Sequence, residues 1–418
     1  MTTTERQLPA LIVETTRIPD PGPLVSLLDG HSPLLWRRRG FGISGHGVAV
    51  RLEFSGPGRM ADAAQAWRDI VAAARVTDPL RLPGTGLVAL GSFTFASDSA
   101  QSSVLIVPSL VIARSGANCW LTRIGTAELP PPVLPAVAPL GAQFNAELEP
   151  GMMTPEAYCT AVEAAVSRIR GQELSKVVVA RDLVGTAPTG ADLRHVIAAL
   201  AGGYPDCWTY AIDGFIGSSP ETLVSVRDGS VTSRVLAGSA ARGLDANSDL
   251  DAASALATSA KDQDEHEFAV QNVLSSLRPH SPGVTASEVP FTLKLPNLWH
   301  LASDVEGTLV DGSSSLDLLS SLHPTAAVAG TPTAAALFVI EQLEPFDRGR
   351  YAGPVGWIGA DGDGEWAIAL RSAQTSPDGT VTAWAGAGIV TGSNPDHELV
   401  ETRMKFRPIV EAFNSPVD

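Results

Sequence analysis

After Thr154 and Pro155, apolar residues recur at helical spacing: Tyr158, Val162, Ala165, Val166 and Ile169 share one face before Gly171 ends the run. A threonine cap with proline in the first turn makes this the most clearly punctuated helix in the chain. The same periodicity predicts helices over about 61–74, 191–201, 259–277, 316–322 and 333–343, and one starting near Pro395. Between them lie β-rich runs. SKVVVARD reads as a strand with Lys176 near its start, Leu34 to Phe54 as a glycine-punctuated meander, and 87–95 and 103–113 as strands. CWTYAIDGF, ETLVSVRDG and VTSRVLAGS alternate as strands, the first two joined by the turn residues GSSP, and VGWIGADGDGEWAIALRS reads as a hairpin. These connections are too short for crossover helices, so the strands run antiparallel. With long helices outside the sheets, the architecture is α+β. Prolines among short apolar runs in residues 1–30 suggest an arm or an edge strand, and the proline-rich stretch Glu128 to Leu140 marks the best internal boundary. It separates an N-terminal part, 1–150, from 151–418.

Composition narrows the partners. The 418 residues carry 45 acidic against 29 basic side chains, a formal charge of −16. The long-range field of such a chain repels nucleic acid and anionic membrane alike, so an anionic ligand needs a local pocket. Arg37, Arg38 and Arg39 suggest one anion site, although solvated strand ends are the more ordinary reading. Cys119, Cys159 and Cys207 are scattered and odd in number, which indicates neither a disulfide framework nor a thiolate cluster. No apolar run approaches the length that spans a bilayer, and a cytoplasmic protein is expected.

Two helices bear paired carboxylates: Asp262 with Glu265, and Glu398 with Glu401. A spacing of three residues puts each pair on one helix face. Brought together, the pairs would form an oxygen-only site suited to magnesium, whereas HELVE at 397–401 lacks the second histidine of a zinc motif. The ordinary reading of Glu401 and Lys405 is an i, i+4 surface pair worth about 0.3–0.5 kcal/mol. GAGIVTG, Gly386 to Gly392, invites a dinucleotide-binding reading, but Asp396 and Glu398 would repel a pyrophosphate at the following helix N-terminus. DGDGE at 361–365 reads as a hairpin turn rather than a calcium loop. Alone, His300 reads equally as a structural or a ligand-binding histidine.

Nine ordered segments then form one pattern: KVVVARDL, GSSPETLVSV, VLAGSAARG, KDQDEHEF, LWHLASDVEG, LHPTAAVAGTP, EPFDRGRYAGPVGW, AIALRSA and WAGAGIVTGSNPDHELVETRMK. From about residue 154 to 412 the chain resembles the chorismate-utilising enzymes, most closely the isochorismate synthases among them. The resemblance implies a single large α+β domain of two stacked antiparallel sheets flanked by helices, with the active site in a cleft between them. It implies magnesium-dependent isomerisation of chorismate, in which water adds to ring carbon 2 as the hydroxyl at carbon 4 leaves. By the family pattern, Lys176 is the general base and Glu221 the general acid. Glu265 and Glu401 are the magnesium ligands, with Asp262 and Glu398 as outer carboxylates. Gly238 and Ser239 line the ring pocket, Arg371, Gly386 and Lys405 hold substrate carboxylates, and His300 is a pocket histidine. These roles make opposite demands: an amine base must shed its proton near neutral pH, and an acid catalyst must keep one. Burial and a nearby cation can meet both.

Within the family, a lysine nucleophile is usual where Ala237 lies in aminodeoxychorismate synthases, and anthranilate synthases have an amide in place of Lys176 and draw ammonia from a glutaminase. Lys176 therefore points to water, with no glutaminase subunit. Salicylate synthases keep the lysine and go on to eliminate pyruvate. Tyr351 is shared with these lyases, whereas Ala327, Val328 and the LWHLASDVEG block look like the isomerase pocket. The expectation is isochorismate synthase, with salicylate synthase as the alternative; isochorismate feeds menaquinone, catechol siderophore or salicylate synthesis. A Rossmann-type oxidoreductase and a catalytically silent binding homologue are the readings of other classes. A monomer is expected.

Overall fold

The computed structural model describes residues 10–127, 129, 132–296 and 298–414. Residues 1–9 of the expected N-terminal arm, and Glu128, Pro130 and Pro131 of the proline-rich stretch, lie outside them. Among the described residues the strands assemble into sheets of 13 and 10 strands. All pairings are antiparallel except that of Ile12–Arg17 with Arg75–Thr77. Each sheet interleaves strands from both parts of the chain: Trp208–Ile212 pairs with Leu34–Arg38 in the larger sheet, and Pro354–Gly359 with Val88–Ser92 in the smaller. Ile12–Arg17 lies one strand in from the edge, which Arg75–Thr77 forms.

Strand Lys176–Thr186 is buried along its first eight residues. Such a run needs cover on both faces, and helices Pro155–Arg170 and Thr333–Leu343 pack against it. Thr154 caps the first of these, its side chain accepting from the Ala157 amide with Pro155 at the first position, and Tyr158, Val162, Ala165, Val166 and Ile169 form its buried face. Asn394 caps helix Pro395–Phe413 through the amides of Asp396 and His397. Ser259 caps helix Ala260–Leu277 through the Asp262 amide. These caps set where the two carboxylate-bearing helices begin.

One sequence expectation is corrected. The turn placed at GSSP lies instead at Asp213–Gly214, where φ is +57° and +73°. Asp-Gly readily takes the left-handed pair that a tight hairpin requires, so Trp208–Ile212 and Phe215–Ser219 form the hairpin. GSSP is thus largely strand, and beyond it the chain passes to the other sheet, where Thr222–Arg227 lies. Glu221 occupies that crossing. The stretch TVTAWAGAGIV, which reads from the sequence as the closing strand, is strand over Thr380–Ile389, paired with Lys176–Thr186 so that Val178 faces Gly388 and Ala180 faces Gly386. Its amides belong to a ladder, not to a phosphate-binding loop.

Candidate active site

A cavity of about 300 Å³ lies where the two sheets and the two carboxylate-bearing helices meet, and all thirteen candidate residues line it. Strand Lys176–Thr186 contributes Lys176, whose side chain is only 11% exposed. Its Nζ donates to Glu265 Oε1 at 2.6 Å. On the opposite side, Lys405 Nζ lies 2.6 Å from Glu401 Oε1 and donates to the Gly386 carbonyl at 2.9 Å. The i, i+4 pair anticipated as a surface feature thus faces inward, with Lys405 14% exposed. Asp262 and the buried Glu398 complete the carboxylate lining.

Gly238 has φ +78° at a register shift between strands Ser230–Ala241 and Leu298–Thr308. A bulge of this kind re-aims the following side chain. Ser239 Oγ lies 2.9 Å from His300 Nδ1, which also approaches the Gly238 carbonyl at 3.3 Å. Because that carbonyl can only accept, it favours the tautomer protonated at Nδ1. Burial, then the charges of Arg371 and Lys405, push the His300 pKa down to about 3, so the ring is neutral at ordinary pH. Tyr351 stacks on Trp384 with centroids 6.1 Å apart, and burial raises its phenol to about 12. Arg371, with φ +50°, is buried beside it.

Glu221 is 6% exposed. Burial raises its pKa to about 7; the Leu236 amide and then the charges of Lys176, Arg371 and Lys405 oppose the shift. A carboxylic acid poised near neutrality has the protonation behaviour required of an acid catalyst.

Gly388, to which the sequence alone assigns no role of its own, has a specific steric one. A Cβ there would meet Lys176 Cε at 3.0 Å and Glu265 Oε1 at 3.3 Å. No local motif marks it, because both contacts come from other elements. Val178 and Leu370 line the cavity as well.

Lys176, Arg371 and Lys405 are the formal cations of the lining, against Asp262, Glu265, Glu398 and Glu401. All four carboxylates offer hard oxygen donors, the chemistry that suits magnesium. Among the described residues, no three acidic, histidine or cysteine side chains are gathered closely enough to ligate one ion. Glu265 and Glu401 are each engaged by an ammonium group. The larger cavities elsewhere contain none of the thirteen candidates.

Residues 140–414, the span holding this whole constellation, match the model of a family described as chorismate binding enzyme. The chain belongs to that family. It is 40% identical over 275 residues to isochorismate synthase DhbC of Bacillus subtilis, a match spanning 62% of this chain and 68% of that protein. To the putative isochorismate synthase MenF of Mycobacterium tuberculosis it is 35% identical over 345 residues, covering 79% of this chain and 87% of the relative. Among solved structures it is similar to a putative 2,3-dihydroxybenzoate-specific isochorismate synthase, DhbC from Bacillus anthracis, with a TM-score of 0.77 at 29% identity. That likeness covers 93% of this chain and 98% of the other, so it extends over both sheets. Among the described residues, no helix is long and apolar enough to cross a membrane.

Proposed function

We propose that the chain is an isochorismate synthase, converting chorismate into isochorismate with a magnesium ion. The observation that carries this reading is the pairing of Lys176 with a near-neutral Glu221 in one buried cavity that also holds Arg371 and Lys405.

Lys176 takes a proton from the water that adds to ring carbon 2. The ring double bond shifts, and Glu221 gives its proton to the hydroxyl departing from carbon 4. One water enters and one leaves, so substrate and product are isomers. Arg371 and Lys405 hold one substrate carboxylate by charge-assisted hydrogen bonds. Asp262, Glu265, Glu398 and Glu401 would hold the magnesium ion, which supplies positive charge for the other carboxylate and for the leaving group. With Lys176 neutral as the base and Glu221 protonated as the acid, two cations face four carboxylates, and a divalent ion would offset the two negative charges left in the lining. Gly388 leaves room for the Lys176 chain, and neutral His300, held by Ser239 and Gly238, forms part of the ring wall.

Incubating the protein with chorismate and Mg²⁺ and identifying the product tests the reading. Isochorismate as the main product supports it. Pyruvate in equal yield with salicylate would reject the isomerase in favour of the lyase, and NAD(P)H binding without chorismate turnover would revive the oxidoreductase reading.

A further inference from the structure

Behind the cavity wall, and absent from its lining, lies an ion pair that the acid–base mechanism does not use. Glu344 and Arg348 have side chains 1% and 2% exposed. The Arg348 Nε donates to Glu344 Oε2 at 2.8 Å and Nη2 to Oε1 at 2.6 Å, a two-pronged contact. The remaining donors reach the backbone of two other segments. Nη2 also donates to the Val178 carbonyl at 2.8 Å, and Nη1 donates to the Val328 carbonyl at 2.9 Å. Glu344 Oε1 in turn accepts from the Ala180 amide at 2.8 Å. The Tyr351 amide donates to the Arg348 carbonyl, and the guanidinium lies 5.8 Å from the Tyr351 ring.

Each of these segments presents a residue to the cavity: Val178, two residues beyond Lys176; Val328 of the neighbouring segment, whose Ala329 carbonyl accepts from the Val178 amide; and Tyr351, on the main-chain turn that begins at Arg348. Ala180 also faces Gly386, whose carbonyl accepts from Lys405. A buried ion pair is a weak device for stability, since apolar residues of similar volume often serve as well. A satisfied buried network does fix one arrangement among several of similar energy. An arginine fork does this where a lysine cannot, because it reaches several acceptors in one plane.

We infer that Glu344 and Arg348 are positioning residues, setting the Lys176 strand against the 327–328 wall and Tyr351, and so deciding whether the bound ring only isomerises or also loses pyruvate. This rests on the chorismate reading, which turnover by the parent protein tests separately.

The test uses Arg348→Lys and the double variant Glu344→Leu/Arg348→Leu, with folding read by near-ultraviolet circular dichroism. Three quantities are then measured: kcat, KM for chorismate, and the ratio of pyruvate to isochorismate. The last two do not depend on how much protein is folded, so a merely structural role would leave them unmoved. The inference predicts a folded double variant with kcat lower by about 10²-fold, as expected for an ångström-scale displacement, a raised KM and a raised pyruvate ratio. Arg348→Lys should fall between this variant and the parent. A folded variant with the parent's KM and product ratio would overturn the inference, and so would failure of both variants to fold.

Discussion

The molecule has a larger opening than the candidate cavity, and the two differ in what surrounds their charges. The larger groove, about 850 Å³, lies among residues near His31, His46, Arg51 and Gln374. There the Arg51 guanidinium is satisfied by Asp213 at 2.6 and 3.0 Å and by Glu53 at 2.8 Å, and Gln101 donates to Gln374. Arg51 is 38% exposed, so these interactions are solvent-screened. In the candidate cavity, at about 300 Å³, Lys176 and Lys405 are only 11% and 14% exposed, and burial raises the pKa of Glu221 to about 7. Desolvation of convergent charges, rather than cavity size, marks the smaller cavity as the candidate site.

The contrast breaks first at Lys176. Lys176→Gln should lower kcat by about 10²–10⁴-fold, the usual range for loss of an acid or base, while calorimetry still detects chorismate binding. Activity within tenfold of the parent would remove Lys176 from the role of base.

The next largest effect is a pH dependence. An acid catalyst works only while protonated, so with the Glu221 pKa near 7, kcat should decline about tenfold per unit as pH rises beyond 7. Neutral His300 and Tyr351 stay uncharged between their values of about 3 and 12 and add no limb in that window. In Glu221→Gln the residual rate should lose this limb. A limb that persists in the variant would assign the titration to another group.

The smallest effect sharpens the comparison from the other side. Arg51→Ala in the larger groove should cost about 1 kcal/mol or less in thermal unfolding and leave kcat and KM within twofold. A large kinetic loss would mean that the two regions are coupled.

What the sequence disclosed follows the range of the interactions involved. The capped helices at Pro155 and Pro395 depend on side chains bonding amides two or three residues away, so their starts were readable. Asp262 with Glu265 was readable as one helix face for the same reason. The contact of Lys176 with Glu265 joins residues 89 apart, and that of Glu344 with the Ala180 amide joins residues 164 apart. No spacing rule reaches that far, and the convergence of the candidate residues was expected only from the family resemblance. Gly386 and Gly388 fit two local readings, because glycine suits both the approach of a phosphate to backbone and that of a neighbouring strand's side chain. The Lys176 chain that explains Gly388 lies on another strand.

In the proposed reaction an amine in this cavity draws a proton from the water that then joins the ring. Turnover of chorismate in ¹⁸O-labelled water, with mass analysis of the isochorismate formed, tests it most directly. One heavy oxygen is expected in the product, at carbon 2. Isochorismate formed without label would show that the hydroxyl never exchanged with solvent, contradicting the role given to Lys176.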